Sequence, residues 1–145
     1  MKIKNSCTLL REERDLALFT AFRTAVQTHE FKTQKEAINF VRLGPAPKWF
    51  TSPERAAAEI SRIIRGRKPF VRGKSRLKKY FDLWQEYKKV IADPENDLCH
   101  FAICEKIVET PAPQWYLGYK QAFDIIAREI EANHERMSRR YARGL

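Results

Sequence analysis

The sequence has few of the residues from which catalytic and redox sites are built. Its 145 residues include three cysteines and three histidines. That number of cysteines is too small for a disulfide framework, so we expect a reducing, intracellular setting. Cys99, His100 and Cys104 lie close together but lack the C-x2-C spacing of a zinc site. Dinucleotide fingerprints and nucleophile elbows are also missing, and we expect no enzymatic activity, no metal and no cofactor.

Long apolar runs are missing as well. No segment approaches the roughly 18 apolar residues of a membrane span, and the N-terminal residues do not resemble a secretory signal. We therefore expect a protein of the cytoplasm or nucleoid without membrane contact. Apolar residues still make up 43% of the chain, which allows a real hydrophobic core.

Acidic residues are scarce in two segments, and these segments account for the net charge of +10. The first, from Arg62 to Lys79, is here named the basic arm; it holds nine lysines and arginines and no acid. The second is the C-terminal tail, with four arginines after Glu135. The remainder of the chain is close to neutral, a distribution that indicates a polyanion or an acidic protein surface as the partner.

Helical periodicity runs through almost the whole sequence, and no stretch alternates like a strand. We predict an all-α protein, a compact bundle of about six helices forming a single domain over residues 1–145. Its predicted parts are an N-terminal helix in 1–31, a first repeat with the basic arm and a further helix in 32–92, and a second repeat with the basic tail in 93–145.

Several helix starts can be predicted from capping signals. Thr33 with Glu36 forms a capping box, and Ser52 followed by Pro53 is a cap with proline at the first helical position. Asp93-Pro94-Glu95 repeats that pattern and predicts the start of a fifth helix. The first helix is expected to end near residue 29, the fourth to begin near 75, and the sixth to span 117–140. The apolar residues at helical spacing are expected to face inward; they are Leu9, Leu16, Phe19, Phe22, Val26, Ala37, Ile38, Phe40, Val41, Ala56, Ile60, Ile64, Leu77, Phe81, Trp84, Val90 or Ile91, Leu98, Phe101, Ile103, Ile107, Ala122, Ile126, Ile130 and Met137.

The sequence Pro-Ala-Pro-x-Trp-aromatic occurs twice, 66 positions apart. Eight of the twenty residues in 45–64 are identical to their counterparts in 111–130. We interpret the pair as a duplicated unit of helix, elbow and helix with pseudo-two-fold packing. The elbow residues are Pro45, Pro47, Trp49 and Phe50 in the first copy and Pro111, Pro113, Trp115 and Tyr116 in the second.

The elbows allow a structural and a functional interpretation. Pro-x-Pro holds the backbone extended, and the aromatic pair supplies a large area to bury. A clasp packed between helices is the favoured interpretation. The alternatives are an aromatic knob facing a partner, a platform for a nucleobase, or a proline ligand for an aromatic groove.

The two elbows and the following segment SPERAAAEISRIIRG resemble a motif in small uncharacterised proteins of gut Bacteroidetes and their crAss-like phages. The resemblance covers about 22 residues in each copy and carries no activity or binding residue. It implies a phage or mobile-element setting. A basic helical protein there would bind packaged or replicating DNA, or hold a virion together.

The basic arm supports three interpretations: nucleic acid bound through its phosphates, an acidic protein subunit, or a solvated surface. Its glycines and Pro69 suggest a mobile middle, and Phe70 among the bases is typical of nucleic-acid binders. The leading prediction is a non-enzymatic protein bound to the backbone of DNA or RNA. The alternative is a structural or interaction protein of a virion or another symmetric assembly, docking an acidic subunit, and oligomerisation fits either. The predicted contacts are Arg62, Arg65, Arg67, Lys68, Phe70, Arg72, Lys74, Arg76, Lys78, Lys79, Arg136, Arg139 and Arg140.

Overall fold

The computed structural model describes the backbone of residues 6–143 and the side chains of residues 8–140. This part of the chain forms six α-helices and no strands, which confirms the predicted all-α bundle. The helices are α1 (Ser6–Thr28), α2 (Gln34–Arg42), α3 (Pro53–Ile64), α4 (Lys74–Ala92), α5 (His100–Val108) and α6 (Tyr119–Arg143).

Two of the predicted helix starts are confirmed by their hydrogen bonds. The Thr33 hydroxyl accepts from the backbone N–H of Glu36, and Glu36 reaches back to the N–H of Lys32. The Ser52 hydroxyl accepts from the N–H of Arg55, with Pro53 at the first helical position. Both caps satisfy amides that the first helical turn leaves without partners.

The predicted start of the fifth helix at Asp93 is wrong. The Asp93 carboxylate accepts from the N–H of Glu95, and the Asn96 side chain accepts from the N–H of Leu98. These short-range bonds fold the segment into turns, because Asp and Asn side chains compete with helix formation by binding nearby amides. Helix α5 begins only at His100.

The six helices fall into two similar halves, α1–α3 and α4–α6. Adding 66 to the bounds of α2 gives those of α5, and adding 66 to the start of α3 gives that of α6. The packing is reciprocal: α2 contacts α6 and α3 contacts α5, whereas among the described helices α2 does not pack on α3 nor α5 on α6. Helix α1 packs on α2 and α6, and α4 on α5 and α3. The helices on the two sides of each elbow therefore pack on helices of the other half and not on each other; a duplicated hairpin with pseudo-two-fold packing stays a prediction.

The two elbows meet at the centre of this arrangement. Ala46 and Ala112 exchange backbone hydrogen bonds of 3.0 Å in both directions. The Trp49 ring stacks on Tyr116 with 5.7 Å between ring centroids, and Phe50 stacks on Trp115 at 5.6 Å. Trp49, Trp115 and Tyr116 are buried and Phe50 is half-buried. The favoured interpretation as a packed clasp is confirmed, with each ring stacked on the opposite elbow, while all four elbow prolines remain exposed.

The second aromatic of each elbow adopts a left-handed backbone conformation. The φ angle is 52° at Phe50 and 58° at Tyr116. Bulky residues rarely take this conformation, which costs of order 1–3 kcal/mol unless the surroundings enforce it. The cross-elbow stacking of both rings holds it here, at corresponding positions of the two halves.

Many apolar residues expected in the core lie at the surface. The buried core contains Leu18, Ile38, Ile60, Leu83 and Ile126 among others. By contrast, 37–53% of the surface of each of the following is exposed: Leu9, Leu16, Val26, Phe40, Ile64, Phe81, Ile91, Leu98, Phe101, Ile130 and Met137. Each helix has neighbours on only part of its circumference, so apolar residues on a second face stay outside.

Candidate nucleic-acid interface

The basic arm consists of the end of α3, a loop, and the first turns of α4. Its loop is held to α3 by three hydrogen bonds of α3 side chains, in contrast to the mobile segment expected from its composition. The Phe70 N–H donates to the carboxylate of buried Glu59 at 2.6 Å, and the Phe70 carbonyl accepts from Arg55 at 2.8 Å. The Lys68 carbonyl accepts from Arg62 at 3.0 Å. Pro69 between them is buried, so the loop has a defined position.

The braced loop presents the Phe70 ring to solvent. The residue is 77% exposed, the most exposed of the large apolar residues in the described chain. The Arg62 guanidinium lies over the ring, 5.6 Å from its centroid. An exposed aromatic ring beside an arginine can stack on a base while the arginine meets a phosphate.

Beside the arm lies an open groove of about 1040 Å³, here named the cationic groove. It runs between α1, the start of α3, the start of α4 and α6. Phe50, Val71 and Tyr80 are among its lining residues. Its one acidic lining residue is Asp124, against six basic ones: Arg11, Arg14, Arg55, Arg76, Lys79 and Arg128.

Half of these cations already have an acidic neighbour. Arg14 binds Asp15 at 2.9 Å, with Arg128 at 3.8 Å from the other oxygen of that carboxylate. Arg55 lies 3.4 Å from Glu59.

The other three cations, Arg11, Arg76 and Lys79, have no carboxylate within 4.0 Å among the residues that the structure describes. Within the described residues, the positive charges of these three side chains are therefore not compensated by an ion pair.

Lys79 shows the electrostatic consequence most clearly. Burial, followed by the positive charges of Arg14 and Arg76, lowers the pKa of Lys79 from 10.5 to about 8. Each of these effects disfavours the charged ammonium. A bound anion would favour the charged ammonium and raise the pKa of Lys79 again by placing opposite charge in the groove.

A second hollow, of about 400 Å³, adjoins the groove and shares Arg76 and Gln121 with it. It is lined by Arg72, Gly73 and Lys74 at the start of α4 and by Gly118 just before α6. Helix α4 has Gly73 as its N-cap, makes no side-chain capping hydrogen bond and has no acid in its first turn. The N-terminal end of α4, where the helix dipole is positive, therefore lies at this hollow together with basic side chains.

The predicted contact residues occupy several different environments. Arg76 and Lys79 line the groove, and Arg72, Lys74 and Arg76 line the second hollow. Arg65, Arg67 and Lys68 are exposed on the loop side, and Arg136, Arg139 and Arg140 are exposed near the end of α6. The side chain of Arg143 lies outside the described residues.

Lys78 differs from its neighbours in the arm because its ammonium, although exposed, is paired with a carboxylate one helical turn away. Its ammonium binds Asp82 at 2.7 Å and lies 5.9 Å from the centroid of the Tyr116 ring. The Tyr116 hydroxyl donates to the same carboxylate at 2.7 Å, and burial followed by this bond raises the pKa of Tyr116. Lys78 thus ties α4 to the second elbow and is a weaker candidate for phosphate contact.

Sequence reasoning missed Arg11, Arg14, Arg55 and Arg128. They come from α1, α3 and α6 and stand among acidic neighbours in sequence, such as Glu12 and Glu13 or Asp124 and Glu129. A search for runs of like charge could not find them, because helix packing brings them together. The only sequence-level indication is the overall excess of basic residues.

The segment considered as a zinc site serves to join helices. The His100 ring lies 2.9 Å from the Tyr87 hydroxyl through Nδ1, and 3.0 Å from both the Ser61 hydroxyl and the Ala57 carbonyl through Nε2. The carbonyl requires Nε2 to carry a proton, so this nitrogen donates instead of acting as a base toward Ser61. Within the described residues, no group of three or more His, Cys, Asp or Glu side chains is placed to hold a metal.

Comparison with protein-family models, with curated protein sequences and with solved structures finds no match. None of the helices in the described part of the chain is both long enough and apolar enough to cross a bilayer.

Proposed function

We propose that this protein binds nucleic acid through its phosphate backbone, without enzymatic activity, and that the cationic groove is the principal contact. The observation that carries the proposal is the convergence of six basic side chains, from different helices, on one open groove with a single acidic lining residue. Arginine and lysine side chains that neutralise phosphates release counterions, and this supplies affinity without reading sequence.

A polyanionic ligand accounts for the uncompensated charge. Burial of Lys79, together with the nearby charges of Arg14 and Arg76, destabilises the free protein, as the lowered pKa of Lys79 indicates. A protein that needed only a solvated surface would gain nothing from this arrangement. A bound chain of phosphates would supply the missing counter-charges.

The extent of the positive surface favours nucleic acid over a small anion. The groove continues through Arg76 into the hollow at the start of α4, so successive phosphates of one strand could be bound along it. The exposed Phe70 ring, with Arg62 over it, adds a stacking surface on the loop of the arm. An acidic protein surface would use the charges but has less need of an exposed ring.

The resemblance of the elbow segments to proteins of Bacteroidetes and crAss-like phages makes a phage or mobile element the proposed setting. There the ligand would be packaged or replicating DNA. The competing role, a virion or assembly component that docks an acidic subunit on the same groove, is separated from this one by the experiment below.

The test compares two triple variants with the same change in charge. The groove variant is Arg11→Gln, Arg76→Gln, Lys79→Gln. The control variant is Lys32→Gln, Lys106→Gln, Lys120→Gln, at exposed positions outside the groove lining. Binding to a fluorescein-labelled 20-base-pair duplex and to a single-stranded oligonucleotide is measured by anisotropy from 50 to 300 mM salt. The groove variant should lose affinity by about tenfold or more, and its salt slope should fall by about 2 to 3.

Equal losses in both variants would show general attraction and would overturn the assignment to the groove. Absence of binding by the wild type at 50 mM salt would overturn the function. In that case gel filtration with and without nuclease, read at 260 and 280 nm, tests the competing role: a higher oligomer or particle that survives nuclease and contains no nucleic acid would support an assembly component. Reversing Arg72, Lys74, Arg76 and Lys79 to Glu should abolish nucleic-acid binding altogether.

A further inference from the structure

Helix α6 continues well beyond the body of the protein. Its last buried residue is Ile126, 1% exposed, and no side chain from 127 to 140 is buried. The described side chains from 129 to 140 make no hydrogen bond, ion pair or ring contact. The segment 129–143, here named the α6 extension, is about 23 Å long. Isolated helices of this length are marginally stable in water, so a packing partner would stabilise the extension.

The exposed side of α6 carries an apolar stripe. Phe123, Ile130 and Met137 follow one another at intervals of seven residues and are 39%, 42% and 43% exposed. A seven-residue interval is the repeat of a helix that pairs with another helix. Asn133 lies between Ile130 and Met137 on the same side, at the second position of the heptad that faces the partner.

The charges of the extension identify the partner. Glu129, Glu131 and Glu135 stand in its first half, and the arginines at 136, 139 and 140 stand in its second. A second copy in the antiparallel direction would place the acidic half of one helix beside the basic half of the other. A parallel pair would place like charges together, and nucleic acid would be repelled by the acidic half.

We infer that the α6 extension is a self-association site, in which two copies pair antiparallel along the Ile130–Met137 stripe. With Ile130 opposite Asn133 of the second copy, Glu129 lies opposite Arg136 of the second copy, and the pair occurs twice by symmetry. Glu129 and Arg136 are seven residues apart, too far to pair within one helix. Arg139 and Arg140 remain outside this pair and can still contact phosphate.

The experiment is sedimentation equilibrium on the full chain, treated with nuclease and kept in reducing agent because Cys99 is exposed. The wild type should form a dimer. Glu129→Arg and Arg136→Glu should each raise its dissociation constant about tenfold, because each places like charges opposite one another twice. The double variant, Glu129→Arg with Arg136→Glu, should return to within about threefold of the wild type, since it exchanges the charges of the pair.

The matched control is Glu131→Arg, which makes the same charge change at a position turned away from the stripe and should leave the dimer unchanged. Circular dichroism of each variant verifies that the helices are intact. A wild type that stays monomeric at about 100 µM overturns the inference, as does a double variant that dimerises no more tightly than the single variants. A dimer that survives Ile130→Asp also overturns it. None of these measurements uses nucleic acid, so their outcome is independent of the proposed function.

Discussion

Trp115 contains the one buried side-chain polar atom without a hydrogen-bond partner in the described structure, its indole Nε1. The similarity of the two halves explains why. The corresponding Trp49 donates its indole N–H to the Thr110 hydroxyl at 3.3 Å, and Thr110 in turn donates to the carbonyl of Ile107 at 2.6 Å. The position 66 residues before Thr110 is Gly44, which has no side chain to accept the indole N–H of Trp115.

Gly44→Ser should therefore stabilise the protein. The new hydroxyl could accept from Trp115 and donate to the carbonyl of Val41, the counterpart of Ile107. An unsatisfied buried N–H costs about 1–3 kcal/mol, and a typical new hydrogen bond recovers about 1 kcal/mol. The added Cβ would lie 3.3 Å from the Phe40 carbonyl oxygen and 3.4 Å from that of Val41, so these neighbours must give slightly. Gly44 does not have a positive φ that a side chain would strain.

The assay is urea unfolding followed by circular dichroism, with Gly44→Ala as the matched control. Alanine introduces the same Cβ and the same loss of chain entropy in the unfolded state. The free energy of unfolding of the serine variant should exceed that of the alanine variant by about 1 kcal/mol, or about 3 °C in melting temperature. In a Trp115→Phe background, which removes the indole N–H, this difference should vanish. Equal stability of the two variants, or a difference that persists with phenylalanine, would refute the reasoning from the two halves.

Three further outcomes follow from single sites. The pKa of Lys79 is about 8 in the folded protein and about 10.4 in an unfolded chain. Between these two pH values the unfolded state binds more protons than the folded state. The free energy of unfolding therefore rises with pH from about 8 to 10.4. Lys79→Met should remove that rise, as measured by urea unfolding at several pH values, and should increase the free energy of unfolding by about 1–2 kcal/mol at pH 7. It should also weaken DNA binding. A variant less stable than the wild type at pH 7 would contradict this prediction. Glu59→Gln keeps an acceptor for the Phe70 N–H but removes the charge beside Arg55, so the free energy of unfolding should fall by about 1–2 kcal/mol. If both the stability and the hydrogen exchange of the Phe70 amide stay unchanged, Glu59 does not hold the loop in place. Burial raises the pKa of Cys104 to about 11, whereas Cys99 is exposed. Iodoacetamide at pH 8 should therefore label Cys99 and spare Cys104 until urea is added, as read by peptide mapping. Equal labelling of the two cysteines without urea would disprove the burial of Cys104.

The parts of the structure that were predictable from sequence are those set by neighbouring residues. The caps at Thr33 and Ser52 were predictable because a capping side chain bonds to an amide only three positions later in the chain. The predicted helix start at Asp93 was wrong for an equally local reason, since an aspartate side chain can form a turn as readily as a cap. The packed character of the elbow rings was predictable from their size and from the stiffness of Pro-x-Pro.

The candidate site was predictable in part. The arm marked Arg76 and Lys79 because their charge is concentrated in sequence. It also included Lys78, which pairs with Asp82 one helical turn further along α4, and left out Arg11, which lines the groove. Charge density along the chain does not say which side of a helix a residue occupies relative to its neighbours.

The sequence by itself determined six helices, most of their ends, and the 66-residue offset that relates the elbows, because periodicity, capping and identity are local properties of the chain. Only the tertiary structure decided that each hairpin opens and packs on the other, and this exchange joins α1, α4 and α6 around one groove. Arg11 and Arg128 stand more than a hundred positions apart and approach the same groove because the helices bury their apolar faces against one another. That burial depends on every helix at once, and so the groove exists only in the folded protein.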